Sequence, residues 1–494
     1  MEKQLLELAA LLPDARLYGS MRLSVSDITA DSRTAGPGSL FICLKGAHVD
    51  GHRFLDKAIE QGAVAAIVED LPKKIPEGVA VIRVADTREA MEAVTPYFYD
   101  YPGKSMRMIG VTGTNGKTTT TNIIRRILTE AGHKTGLIGT INVMIGEVSE
   151  TAHNTTPDVV DLEKTLYAMK TAGCDYVVME VSSHALALKR VAGIEYDCAV
   201  LTNITQDHLD FHKTMASYRD AKSLLFEGLR DGAKGSKHAV LNMDDPSSGL
   251  IRSRTRASVL TYGMGDAMDI HPVSFEIGAK AMSLKLATPV GEMDLSLRIT
   301  GEFNVYNVMA AVAATLAEGI DKETIVRALS GFTGVPGRFQ LVEAGQPYTV
   351  VVDYAHTPDG LENVLRTARQ ITRGRLWAVF GCGGDRDSKK RPIMGELALR
   401  LADNVVVTSD NPRSEDPERI IDEIMAGMDK ASEDKRLVRL SDRREAIEYA
   451  LAMAGAEDVI LICGKGHENY QILKNETIHF DDREVVQDYW RGRK

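Results

Sequence analysis

At 494 residues and a formal net charge of −10, the chain exceeds what one ordinary hydrophobic core serves, and a prior of about 150 residues per domain suggests about three domains. The acidic balance argues against nucleic acid or an anionic membrane surface as partner, so any anionic small molecule needs local basic sites. The five cysteines are scattered without a C-x-x-C pair, which fits reduced thiols in a cytosol rather than a disulfide scaffold.

In chain order, residues 1–17 are broken by Glu2, Lys3, Glu7, Asp14 and Arg16 and lack the apolar centre of a signal peptide. No later run approaches about 20 apolar residues, so a soluble, cytoplasmic protein without membrane insertion is expected. Residues 1–102 predict a small α/β module: a helix over 52–62, strands over 63–69 and 79–84, and a helix over 87–100. It ends at the turn-rich Tyr101-Pro102-Gly103-Lys104. Residues 103–334 predict a strand (106–111), a helix (119–131), strands (176–181 and 198–202), a helix (215–229) and a strand (239–242). That alternation argues for a parallel sheet covered on both faces by helices. An alternating stretch over 274–299 reads as antiparallel, and an Ala-rich helix follows over 304–318. Beyond Gly334-Val335-Pro336-Gly337-Arg338, residues 335–494 predict a third α/β domain of Rossmann-like character, with strands over 349–353, 376–380, 405–408 and 459–463.

The most informative segment is Gly110-Val111-Thr112-Gly113-Thr114-Asn115-Gly116-Lys117-Thr118-Thr119-Thr120, which leaves an apolar strand and opens a helix. Backbone N–H groups of such a turn, with the positive helix end, cradle phosphate oxygens. Lys117 adds a point charge and Thr118 a hydroxyl for Mg²⁺, so ATP or GTP is expected. The spacing G-x-x-G-K-T is shorter than the common eight-residue loop. Glu180 ends a buried strand of the same domain, where a carboxylate can hold Mg²⁺ beside a γ-phosphate or simply be solvated. Asp207, His208, Asp210 and His212 crowd the loop after the next strand.

The run Asp207-His208-Leu209-Asp210-Phe211-His212, followed by Tyr218, Ala221, Lys222, Leu225 and Phe226 as Y-x-x-A-K-x-x-L-F, resembles the Mur ligase superfamily of ATP-dependent amide-forming enzymes. The short loop GTNGKTT is that family's version, and the resemblance covers the whole chain. Gly301-Glu302-Phe303-Asn304-Val305-Tyr306-Asn307 is similar to its G-x-F-N-x-x-N, where Asn304 would face adenine, although Asn304 could also cap a helix. Segments around Arg338 and Asp353 resemble its hinge and ribose-binding stretches. The resemblance implies the three-domain Mur ligase architecture, α/β throughout: a uridine-binding domain (1–102), a central P-loop domain with a mostly parallel sheet (103–334) and a C-terminal Rossmann-like amino-acid domain (335–494). It implies nucleotide binding by Gly113, Thr114, Asn115, Gly116, Lys117, Thr118, Thr119, Asn304, Arg338 and Asp353. It also implies catalysis by Lys117, Glu180, His208 and Lys222, with metal ligands Thr118, Glu180, His208 and a carbamate formed on Lys222 from CO₂. ATP and Mg²⁺ are the implied cofactors, working in a monomer.

Asp31-Ser32-Arg33 and the stretch containing His48 are similar to the uridine-binding region of tripeptide-forming members. Asn154, Thr155 and Thr156, with Ser182 and Arg190, would hold the nucleotide-linked peptide UDP-N-acetylmuramoyl-L-alanyl-D-glutamate. Leu188 stands where members often carry Gln. Asp410-Asn411-Pro412-Arg413 looks like the motif of members that add meso-diaminopimelate. That amino acid ends in a carboxylate and an ammonium, lysine in an ammonium alone, so a bidentate Arg413 has a carboxylate partner only in the former. Arg386 is a further clamp, and Asn411, Gly464 and Glu468 would take the ammonium and main-chain groups. Two alternatives stay open: the same reaction with L-lysine, and an ATP-hydrolysing nucleotide switch.

Overall fold

The computed structural model describes residues 1–46, 49–152, 154–230, 234–278, 280–428 and 436–491. Three large sheets, of five, eight and six strands, follow one another along the chain. The first, in spatial order, is Arg16–Tyr18, Ala80–Arg83, Ala65–Val68, Ser39–Ile42 and Asp27–Thr29, parallel except for the antiparallel Arg16–Tyr18 edge. The helix expected over 52–62 is a 3₁₀ turn, Gly51–Phe54, leading into Leu55–Glu60. The Asp50 carboxylate accepts from the His52 N–H and tightens that entry.

The central sheet has eight strands: Val148–Thr151, Asn142–Ile145, Thr135–Ile138, Tyr176–Glu180, Arg107–Thr112, Cys198–Leu201, His238–Asn242 and Ser258–Tyr262. All pairings are parallel except the two made by Asn142–Ile145, which runs antiparallel to both Val148–Thr151 and Thr135–Ile138. The inner strands read as near-continuous apolar runs because both faces are buried. From Arg107–Thr112 the chain first builds one side of the sheet and later returns to pair Cys198–Leu201 on the other. Ligands gather outside the carboxyl ends of strands at such a reversal.

Helix Lys117–Glu130 begins two residues before the expected start. The run Thr118–Thr121 is β-branched and lowers local helix propensity, yet its side chains are buried and tertiary packing decides. Helix Glu302–Ala317 is apolar almost all round because it lies in the core, with Ala310, Ala311, Val312, Ala313 and Ala314 fully buried. It starts before Asn304, so Asn304 lies within the first turn and is not a cap. The antiparallel expectation over 274–299 corresponds to strands His271–Ile277, Met282–Ala287 and Met293–Leu297.

The last sheet runs Gln340–Leu341, Thr349–Asp353, Val459–Cys463, Leu376–Phe380, Asn404–Val407 and Arg436–Arg439, parallel but for its first pair. Helix Pro358–Ile371 carries Pro at its first position, and Thr357 accepts from the Gly360 N–H. No described helix is long and apolar enough to cross a membrane.

Candidate active site

The phosphate loop joins the central strand Arg107–Thr112 to helix Lys117–Glu130. Gly116 has φ +85, and a Cβ there would run into the Asn307 carboxamide. Lys117 folds back over its own loop, donating to Gly113 O and Thr114 O, both at 2.8 Å. Thr114 Oγ1 donates to Thr205 O at 3.1 Å and lies 3.1 Å from the Tyr218 hydroxyl. Thr118 Oγ1 donates to Glu180 Oε2 at 3.1 Å and accepts from Arg338 Nη2 at 3.3 Å. Glu180 is fully buried and also accepts from Thr140, from N at 2.9 Å and Oγ1 at 3.0 Å. A hydroxyl from the helix and a carboxylate from the neighbouring strand thus meet as oxygen donors of the kind a hard divalent cation takes.

Lys222, on helix Met215–Glu227, is buried and donates to Gly113 O at 2.8 Å, with its nitrogen 4.6 Å from the Tyr218 ring centroid. Burial, then the Lys117 charge, hold its pKa well below the ordinary lysine value, which favours the neutral amine. His208, at φ 53, pairs with Asp207 at 3.3 Å, and its ring centroid stands 4.7 Å from His184. The His208 pKa is lowered by burial, opposed by Asp207 and reinforced by Lys117 and Lys222. Thr118 and Glu180 are thus joined directly, while His208 and Lys222 each feel the Lys117 charge.

A cavity of about 760 Å³ opens beside the loop between the central and last sheets. Asn115, Gly116, Thr119, Arg338 and Asp353 line it, as do Asp244, Tyr306 and Asn307. Asn304 is not among the lining residues. It is buried one turn back, donating to Thr300 O and accepting from Asn307 Nδ2 at 2.9 Å, so Asn307 presents the amide surface. Asp353 is buried on two backbone donors, Phe339 N at 2.6 Å and Ala355 N at 2.7 Å, and burial raises its pKa. Arg338 lies over the Tyr354 ring at 4.8 Å. Asp359 accepts from Asn115 Nδ2 at 2.9 Å and Thr205 Oγ1 at 3.2 Å, tying the last domain to the loop. Sequence reasoning missed Asp359 and Thr140, and it placed Asn307 in the G-x-F-N-x-x-N motif without giving it a role. Asn307 alone had a signal, three residues after Asn304 on the same helix.

Thr156 Oγ1 donates to Glu180 O at 2.8 Å and accepts from Ser182 N at 3.1 Å, while Arg190 Nη1 donates to Thr156 O at 3.3 Å. Thr155 lies 3.1 Å from the Thr140 hydroxyl. Thr155, Thr156, Ser182 and Arg190 therefore gather beside Glu180. Ser182 also caps Ser183–Ala187, and Asn154 is exposed. Ser32 is buried in the first domain, apart from this group, beside the exposed Asp31–Arg33 pair. His48 lies outside the described residues.

In the last domain, Arg413 sits at φ 52 and its Nη1 donates to Gly384 O at 2.9 Å and Asn411 O at 3.4 Å. Its Nε and Nη2 have no hydrogen-bond partner among the described residues. Arg386 is exposed and donates to Asp385 O. Pro412 is buried, and its carbonyl packs so closely on Gly384 that a Cβ there would collide with it. Asn411 Nδ2 donates to Glu468 Oε2 at 2.9 Å. Burial raises the Glu468 pKa, with Lys465 opposing. Gly464 has φ +115, and a Cβ there would meet the Asp410 carboxylate at 2.5 Å.

His467, between the loops, is pushed down to about 4 by burial, then by Arg338 and Arg483. The unfolded chain takes up this proton near the ordinary 6.5 whereas the fold resists it to about 4. Stability from this group is therefore whole above 6.5 and is lost as pH falls toward 4. Thermal melting should decline from pH 7 to 4.5, and His467→Phe should flatten that decline; an unchanged slope would remove His467 from the account.

Three family profiles match the chain: "Mur ligase family, catalytic domain" over 24–99, "Mur ligase middle domain" over 111–315, and "Mur ligase, glutamate ligase domain" over 337–466. The UDP-N-acetylmuramoyl-L-alanyl-D-glutamate--2,6-diaminopimelate ligase of Geobacillus kaustophilus is 48% identical over 485 residues, covering 98% of each chain. The protein of the same name from Listeria monocytogenes is 46% identical over 466 residues, covering 94% of each. A solved structure of a ligase of that name is 31% identical with TM-score 0.69, covering 100% of this chain and 99% of the other. The MurF ligase of Thermotoga maritima in complex with ADP shares the fold, at 19% identity and TM-score 0.67 over 95% and 99%.

Proposed function

The chain belongs to the Mur ligase family, and from that premise we propose that it joins meso-2,6-diaminopimelate to UDP-N-acetylmuramoyl-L-alanyl-D-glutamate with consumption of ATP, a step of peptidoglycan precursor synthesis. One observation carries the choice of amino acid. Arg413 spends one nitrogen on two loop carbonyls and has its remaining edge open, close to the Asn411–Glu468 pair. A guanidinium fork beside a carboxylate matches a substrate end bearing both a carboxylate and an ammonium.

The loop N–H groups and Lys117 hold the β- and γ-phosphates, for which Lys117 must leave Gly113 O and Thr114 O. Arg338, already on Thr118, adds positive charge from the last domain. Thr155, Thr156, Ser182 and Arg190 orient the D-glutamate carboxylate beside Glu180. That carboxylate oxygen attacks the γ-phosphorus, releasing ADP and leaving an acyl phosphate. The amine of diaminopimelate adds to the acyl carbon, loses a proton, and the C–O bond to phosphate breaks to give the amide. Mg²⁺ would be held by Thr118 and Glu180, and at a second position by His208 and a carbamate on Lys222, and would supply charge neutralisation on the transferred phosphoryl group. Lys222 suits carbamate formation because burial and the Lys117 charge favour the neutral amine, whose lone pair adds to CO₂. Asp359 and Arg338 draw the last domain over the loop, which keeps water from the acyl phosphate. The protein acts as a monomer in the cytoplasm, where its five buried free cysteines suit reducing conditions.

The test is phosphate release from ATP with the UDP-linked dipeptide present, comparing meso-diaminopimelate with L-lysine and weighing the product. Turnover with diaminopimelate alone is expected. Equal use of lysine would sink the Arg413 argument, and ATP hydrolysis indifferent to both amines would favour the nucleotide switch. Sedimentation at a single-chain mass checks the monomer.

A further inference from the structure

Lys465, two residues past the strand Val459–Cys463, is fully buried although glycines flank it on both sides. Its Nζ donates to Asn411 Oδ1 at 2.9 Å and Glu468 Oε2 at 3.4 Å and lies 3.5 Å from Asp410 Oδ1. The Tyr470 ring centroid is 5.7 Å away. One ammonium thus pins the loop after Asn404–Val407 to the loop after Val459–Cys463.

These bonds decide an orientation as well as a position. Asn411 Oδ1 accepts from both Lys465 and Ile472 N, the latter at 2.9 Å. Its carboxamide can therefore present only Nδ2 to Glu468. Lys465 and Asn411 both engage Oε2 of Glu468, holding that carboxylate by one oxygen. Asp410 Oδ1 is buried without a hydrogen-bond donor among the described residues, its 3.5 Å approach to Lys465 being an ion pair only. Other cations near Asp410 are committed elsewhere: Arg443 to Asp482, Lys390 to His356 O, and Arg413 to Gly384 O. Two acids facing one ammonium leave acceptor capacity for one further cation.

On the basis of the reaction proposed above, we infer that Lys465 is a positioning residue that holds Asp410, Asn411 and Glu468 ready to receive the distal ammonium of the amino-acid substrate. Without it, two buried carboxylates would face each other, and one would take a proton instead of an ammonium. The groups facing Glu468 are Lys465, Asp410, Asn411 and Tyr470, with Tyr354 and Arg413 beyond. Lys465 is the nearest cation among them, so its loss disfavours ionised Glu468 and moves that titration upward.

The experiment compares full-length wild type, Lys465→Met and Lys465→Gln in the amide-forming assay, each substrate varied in turn. The Met variant should raise KM for meso-diaminopimelate by about thirtyfold or more, leave KM for ATP and for the UDP-linked dipeptide nearly unchanged, and shift the acid limb of kcat/KM for diaminopimelate to higher pH. Equal rises in all three KM values, or an unmoved acid limb, would overturn the inference. If the Met variant does not fold, Lys465→Gln keeps a donor to Asn411 without the charge, and an unmoved acid limb there is equally decisive against it. Failure of wild type itself to use diaminopimelate overturns the proposed reaction and this inference with it. Normal wild-type turnover beside unaltered variants overturns the role of Lys465 alone.

Discussion

Lys222→Arg is expected to lower kcat by about a thousandfold, the scale of losing preorganised charge stabilisation at a transferring phosphoryl group, with KM for diaminopimelate little changed. Lys222 is buried, its nitrogen 2.8 Å from Gly113 O and flanked by Lys117 and Tyr218. Burial and Lys117 both favour a neutral amine there. Arginine keeps its proton and has no amine to add to CO₂, so it would set a second permanent cation against Lys117 where an oxygen ligand is needed. Single-turnover formation of ADP separates this defect from weakened binding. A carbon-13 carbamate signal in labelled bicarbonate should appear in wild type and be missing from the variant. Near-normal turnover by Lys222→Arg would end the carbamate proposal.

Arg413→Ala should lower kcat/KM for meso-diaminopimelate by two to three orders of magnitude, the effect of truncating one partner of a desolvated charge pair, roughly 3–4 kcal/mol. KM for ATP should hold, and the preference over L-lysine should collapse. Lysine at this position should rescue little, because Arg413 uses one nitrogen to hold Gly384 O and Asn411 O while offering the other edge outward. A point charge cannot do both. If Arg413→Ala kept its preference for diaminopimelate, recognition of the distal carboxylate would have to pass to Arg386 or elsewhere.

How much of this is legible in the chain depends on the range of the interaction. The parallel character of the central sheet can be read from buried apolar runs such as Tyr176–Glu180 and Cys198–Leu201, since a strand covered on both faces needs no polar alternation. The hairpin strand Val148–Thr151 gives no such signal because all four residues are exposed. Strand Arg436–Arg439, exposed at both ends on the sheet edge, is equally silent. Helix Val159–Thr171 does carry a start signal, Asp158 capping Val159 N, but its apolar periodicity is diluted by Glu163, a buried acid.

The strand–loop–helix that presents Lys117, the α/β alternation on either side of it, and the Arg413 loop after a strand of the last large sheet are all written in local sequence. Each follows from neighbours in the chain: a glycine-punctuated turn after an apolar run, or a turn motif after a β-branched one. Long-range packing is what sets Asn307 rather than Asn304 on the cavity wall, brings Asp359 across to Asn115, and buries Lys465 against Asp410, Asn411 and Glu468. Most of those contacts join segments far apart in sequence. Burial converts an ordinary polar side chain into an oriented one, because inside the fold each donor and acceptor must find a partner that the local sequence does not specify.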